Sequence, residues 1–177
     1  MRGLVLISLL CLLLAPFRSP AVEDHALENA VKAAYLYKFG GYVTWPRDNA
    51  DSPLVIGVAG ADGIAEELQK IASAGTAKAR PLIVRRIRPD ESLAGLDMVF
   101  AGPLKHAELT SLLAKTHDLP ILTVTDSDDG YSLGSMINFV LVDEKLRFVV
   151  ALGPTSRASL KISALMLAAA YKVEHGT

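Results

Sequence analysis

The sequence predicts an α/β domain: a layered α/β/α arrangement around a mixed, mostly parallel sheet of about six strands, with an antiparallel hairpin and a C-terminal helix at its end. Three observations carry that prediction. Short apolar runs bounded by turn residues alternate with segments whose leucines recur at helical spacing, the order that builds a parallel sheet beneath covering helices. Two later apolar runs, residues 136–142 and 146–152, are separated only by Asp143-Glu144-Lys145, too few for a crossover, so they pair antiparallel. Between Lys161 and Lys172 the chain then carries no charge at all.

Taken in order, residues 1–21 stand apart. Arg2 precedes an apolar run over residues 4–14 broken only by Ser8, and Ser19-Pro20-Ala21 offers small residues for cleavage, so this segment reads as a secretory signal that leaves one domain over 22–177. Its apolar run is well short of the roughly twenty residues that a membrane span requires. Residues 27–46 then hold three of the five tyrosines, one phenylalanine and the single tryptophan. Leu27, Val31, Tyr35, Phe39 and Tyr42 fall at steps of three and four, which predicts a helix with one apolar stripe and places Lys32 and Lys38 off it. Gly40 and Gly41 weaken that helix, and Pro46 forces Trp45 into an extended exit.

Residues 54–59 form the first buried strand, and Asp62 is placed as N-cap of a helix over 64–74. Residues 81–87 make a second strand near a sheet edge, because Arg85 and Arg86 suit an edge better than a centre. Residues 96–101 and 120–125 are the third and fourth strands, joined by a helix over 105–116. The final helix is expected over residues 155–173, behind Pro154 and capped by Thr155 or Ser156. A surface helix shows a polar face, so its charge-free stretch implies burial on both sides or contact with another subunit.

Charge and cysteine content exclude several classes. The whole chain has formal charge -1, and loss of Arg2 and Arg18 with the signal leaves 16 basic against 19 acidic residues, so nothing attracts nucleic acid. Cys11 is the only cysteine and falls within the signal, so the domain is held by packing without disulfides.

The catalytic motifs present fail on context. Gly130-Tyr131-Ser132-Leu133-Gly134 matches the G-x-S-x-G pattern, and Asp143 and His175 follow in the hydrolase order. The serine, however, follows an Asp-rich loop and precedes a strand, whereas the nucleophile elbow needs a strand before it and a helix after it. Gly57, Gly60 and Gly63 lack the spacing of a dinucleotide or phosphate loop. Asp126, Asp128 and Asp129 resemble part of a calcium loop, yet Gly130 and Ile137 stand where an acidic residue and a glutamate would be needed. His25, His106, His117 and His175 show no zinc spacing. No catalytic residue, cofactor or metal is assigned.

Three stretches resemble the YfiR-like periplasmic proteins, formerly a domain of unknown function. They are Val31-Lys32-Ala33-Ala34-Tyr35-Leu36-Tyr37-Lys38-Phe39 with Trp45-Pro46; Ile121-Leu122-Thr123-Val124-Thr125-Asp126 with Met136-Ile137-Asn138-Phe139; and Arg147-Phe148 with Leu160-Lys161-Ile162-Ser163, Leu165 and Leu167. Gly134-Ser135 replaces a glycine pair of the family, and Val149 and Ala151 replace a glutamate and an asparagine. Cysteines that pair in some relatives are missing, which removes redox control by that route.

The resemblance implies a non-enzymatic periplasmic inhibitor. Such a protein binds the periplasmic sensor part of an inner-membrane diguanylate cyclase and holds it inactive, lowering cyclic-di-GMP and biofilm output. An OmpA-like outer-membrane lipoprotein is a possible second partner, and a homodimer is expected. A small-ligand module feeding another membrane protein and a Ser132 hydrolase are the alternatives. Tyr35 and Phe39 are expected inside, while Tyr42, Trp45, Ile162, Leu165, Met166 and Ala169 are the candidate partner or dimer contacts.

Overall fold

The computed structural model describes residues 20–46, 52–75 and 80–175, with side chains from Asp24 onward. Helix α1 (Pro20–Gly40) leads into a short strand β1 (Val43–Thr44). Strand β2 (Leu54–Ala59), helix α2 (Asp62–Ser73), strand β3 (Leu82–Arg86), strand β4 (Met98–Ala101), helix α3 (His106–Thr116) and strand β5 (Leu122–Thr125) follow as the sequence predicts. Strands β6 (Ile137–Val142) and β7 (Lys145–Ala151) form the expected antiparallel hairpin. The sheet has seven strands in the order β3-β2-β4-β5-β6-β7-β9, where β9 (Lys172–Glu174) pairs parallel to β7. The arginine-bearing strand β3 is indeed at an edge.

Alternation along the strands divides the core into two layers. Leu54, Ile56 and Val58 of β2, Met98 and Phe100 of β4, and Leu122 and Val124 of β5 pack with α1 and α2. Ala59, Val99 and Ala101 point the other way, onto Leu109, Leu112 and Leu113 of α3 and onto Ile87, Leu93 and Leu96.

Three expectations are corrected. The buried side of α1 is Lys32, Ala33, Leu36, Phe39 and Gly40, whereas Leu27, Val31 and Tyr42 are exposed. The helix is apolar over most of its circumference, so spacing alone did not select the face. Close approach to β2 contributes to that choice, because a Cβ on Gly40 would lie 2.2 Å from Leu54 Cδ2. Asp62 is also not the N-cap of α2: Ala61 holds that position without a side-chain hydrogen bond, and the Asp62 carboxylate pairs with Arg86 at 3.3 Å.

The third correction concerns the chain end. Instead of one helix over 155–173, there are α4 (Leu152–Arg157), strand β8 (Lys161–Ile162), α5 (Ala164–Ala169) and β9. Pro154 lies within α4, and the Thr155 hydroxyl donates to Leu152 O at 2.8 Å rather than capping. Ser159 turns the chain with φ 57°, and β8 then pairs antiparallel with β1, Val43 against Ile162. Ser163 starts α5 by accepting the Met166 amide at 3.3 Å. Long-range strand pairing therefore overrides helical spacing here.

The hairpin turn places Asp143 at φ 48° and Glu144 at φ 59°, the double left-handed geometry that favours glycine at its second position. Glu144→Gly is expected to stabilise the domain by about 0.5–1 kcal/mol in urea unfolding, since an L side chain in this conformation costs on the order of 1 kcal/mol.

Candidate functional site

Two features rise above ordinary packing: a charged group buried beneath α1, and the ribbon where the two ends of the domain meet. The first was not legible as a site in the sequence. The Lys32 side chain is only 6% exposed, and its Nζ donates to Glu28 Oε1 and to Asp126 Oδ2, each at 2.5 Å. Glu28 is one helical turn back, while Asp126 follows the last residue of β5. Burial pulls the Lys32 pKa down, but the hydrogen bonds and charges of Asp126 and Glu28 outweigh it and hold the amine above its ordinary 10.5. The lysine is thus a bolt joining α1 to the carboxyl end of the sheet.

Beside that bolt the β5–β6 loop folds back on the strand ends. Thr125 Oγ1 donates to Asn138 Oδ1 at 2.6 Å, and Gly130 lies so close above that a Cβ would be 2.1 Å from Thr125 Oγ1. On the opposite layer His106 Nδ1 is 3.0 Å from Asp129 Oδ2. Asp126 and Asp129 are therefore each engaged by a side chain, and no group of three metal-ligating residues occurs among the described residues. Ser132 donates its hydroxyl to Asp129 O at 2.9 Å, Asp143 is in the hairpin turn and His175 follows β9. Among the described residues no hydrogen bond joins Ser132 to a histidine, so the hydrolase constellation is not assembled.

The crevice where open α/β sheets receive ligands is also filled. The strand order turns between β2 and β4, and there a Cβ on Gly60 would lie 2.5 Å from Leu104 Cδ2 and one on Gly102 2.8 Å from Ala61 Cβ. An open groove of about 680 Å³ is at the other end of the sheet, bordered by Leu93, Leu96, Lys115 and Leu119.

The candidate contacts separate by burial. Phe39 is buried as expected, and its ring centre is 5.0 Å from Phe148 and 6.0 Å from Phe139; Tyr35, half-buried, lies 5.8 Å from Phe148. Trp45 is 6% exposed, its Nε1 donates to Asp97 O at 3.0 Å and Arg80 stacks over its ring at 5.5 Å. Met166 is 2% exposed. Both are core anchors rather than surface contacts. Tyr42, 42% exposed, and Leu165, 73% exposed, remain outside with Ala169, and Ile162 is half-buried. Pairing of β1 with β8, together with the Ser163 amide donating to Tyr42 O at 2.9 Å, brings Tyr42 next to the start of α5. Residues from opposite ends of the domain thus come together at the β1–β8 ribbon.

A family model described as YfiR/HmsC-like matches residues 29–171. A search of curated proteins finds no match. The matched span includes Lys32, Asp126 and both strands of the β1–β8 ribbon.

Lys32→Met keeps the length of the side chain but leaves two carboxylates without their cation. Those carboxylates are partly solvated, so the expected loss is about 2–3 kcal/mol by chemical denaturation, at the low end for a broken buried pair. The sign of the alkaline dependence follows from the raised pKa. The Lys32 contribution is fully present below its unfolded value of 10.5 and is lost as pH rises through the higher folded value. The stability difference between the wild-type chain and Lys32→Met should therefore be flat through neutral pH and shrink above about pH 10.5, and a difference that shrank at neutral pH would refute the ion-pair assignment.

Proposed function

The chain belongs to the YfiR/HmsC-like family, and from that membership we propose a non-enzymatic periplasmic regulator that binds the periplasmic sensor part of an inner-membrane diguanylate cyclase. Binding holds the cyclase inactive and lowers cyclic-di-GMP and biofilm output. The match over residues 29–171 is the observation that carries this reading. The proposal includes export by a cleaved signal over residues 1–21, of which 1–19 fall outside the described residues and Pro20-Ala21 open α1. It also admits an OmpA-like outer-membrane lipoprotein as a competing partner.

The physical requirement is a difference in affinity. To repress, the protein must bind the inactive receptor state more tightly than the active one, and it needs no reacting group to do so. The surface proposed for this contact is the exposed Tyr42, Leu165 and Ala169 around the β1–β8 ribbon. A tyrosine held by a strand pair and a leucine on a capped helix lose little freedom on binding. No helix among the described residues is long and apolar enough to cross a membrane.

Titration of the purified chain against the receptor's isolated periplasmic domain is the direct test. Saturable binding is expected, and Tyr42→Asp and Leu165→Asp are each expected to weaken it at least tenfold while the circular dichroism spectrum is unchanged. In cells, deletion of the gene is expected to raise cyclic-di-GMP. An unchanged nucleotide level with the cyclase expressed would sink the regulatory reading.

A further inference from the structure

We infer that the free edge of β3 receives an extended acidic segment of a partner protein as an added antiparallel strand. Which backbone groups face that edge follows from the inner ladder. The Leu54 amide donates to Pro81 O at 2.7 Å and the Ile87 amide to Val58 O at 3.0 Å, in a parallel register that sets Leu54 beside Leu82 and Val58 beside Arg86. Ile83 and Arg85 therefore turn their amides and carbonyls toward β2, and Leu82, Val84 and Arg86 turn theirs outward. Among the described residues β3 pairs with β2 alone, and the outward groups of those residues make no hydrogen bond.

The side chains beside the edge define the occupant. Leu82 and Val84 lie on the layer of α1 and α2, where Arg86 meets Asp62 and Glu66 of α2 at 3.3 and 3.7 Å. The opposite face presents Ile83, 45% exposed, and the exposed Arg85. Residues 80–89 hold four arginines and no acidic residue. Arg80, Arg86 and Arg88 reach carboxylates elsewhere in the chain. Arg85 does not: its guanidinium donates to Ala94 O at 3.0 Å, and no ion pair engages it among the described residues. An unmatched cation thus stands at an edge of open donors and acceptors.

A charged residue guards an edge against indiscriminate pairing, and the guard is selective. A strand with a basic residue opposite Arg85 is repelled, whereas one with a carboxylate there gains a cross-strand ion pair. Antiparallel addition puts Ile83 and Arg85 in non-hydrogen-bonded pairs, where facing side chains are closest. The occupant is therefore an extended segment with an apolar residue opposite Ile83 and an acidic one opposite Arg85. In this mode the backbone ladder supplies affinity and alternate side chains supply selectivity.

A short peptide in which threonine alternates with glutamate, isoleucine and valine, in that order, tests the edge. On titration into the isotope-labelled chain, the amides of Leu82, Val84 and Arg86 are expected to shift and to gain protection from hydrogen exchange. Those of Ile83 and Arg85, already bonded to β2, keep the protection they have. Arg85→Glu should weaken binding at least tenfold with an unchanged circular dichroism spectrum, and exchanging the peptide's glutamate for lysine should restore binding to that variant. N-methylation of the peptide's central threonines removes ladder donors and should abolish binding. Binding that survives N-methylation or is indifferent to Arg85→Glu overturns the proposal, as does a peptide that leaves the Leu82, Val84 and Arg86 amides unmoved. Movement of these amides with protein concentration alone would assign the edge to a second copy and equally overturn it. The proposal does not rest on the regulatory reading, because the peptide reports on the edge without any receptor.

Discussion

The interaction on which the rest depends is the Lys32 amine clasped between Glu28 and Asp126. A cation that is almost fully shielded from water persists only if its charge is matched and its protons are placed. Satisfying it fixes three things at once: the rotation of α1 about its axis, the height of α1 over the sheet, and the path of the chain leaving β5. With the helix rotated in this way, Ala33, Leu36 and Phe39 descend onto the sheet, and Phe39 meets Phe139 and Phe148 of the hairpin. A helix apolar on nearly every side has no preferred face until one polar residue must find a partner, and Lys32 supplies that choice.

From that placement the β1–β8 ribbon follows. Because α1 ends at Gly40 against Leu54, the chain leaves it at the amino ends of the parallel strands, and Val43–Thr44 are free to take up β8. Trp45 locks the exit through Asp97, whose own carboxylate accepts the Val55 amide at 2.8 Å. The ribbon is therefore referenced to the central sheet through the exit of β1, and β8 is held by its pairing with β1.

Much of this was legible in the sequence, and the failures have identifiable physical causes. Residues 54–59 read as a strand because six apolar or small residues are flanked by turns, and that strand appears with the same limits. Arg85 and Arg86 placed β3 at an edge because charge is tolerated there. What local pattern could not show was pairing across the chain. Leu160 to Ser163 carry no helix-breaking glycine or proline, yet Lys161 and Ile162 are extended because Val43 and Thr44 provide a partner. Trp45 resembled a contact residue until the Asp97 carbonyl was seen to satisfy its indole nitrogen within the fold. Lys32 and Asp126 both lie in stretches that carry the family resemblance, but no local pattern in either stretch shows that they touch.

The β1–β8 ribbon has a kinetic consequence as well. Val43 and Ile162 are joined across most of the domain, a contact of very high sequence separation, and the loop-closure entropy of such a contact is repaid only after the intervening sheet has assembled. Tyr42 and Leu165 are consequently among the last residues to reach their places. A partially folded or truncated chain carries the same side chains without the ribbon that brings Tyr42 next to the start of α5. On the proposed reading, a partner docking there therefore also inspects whether the fold is complete.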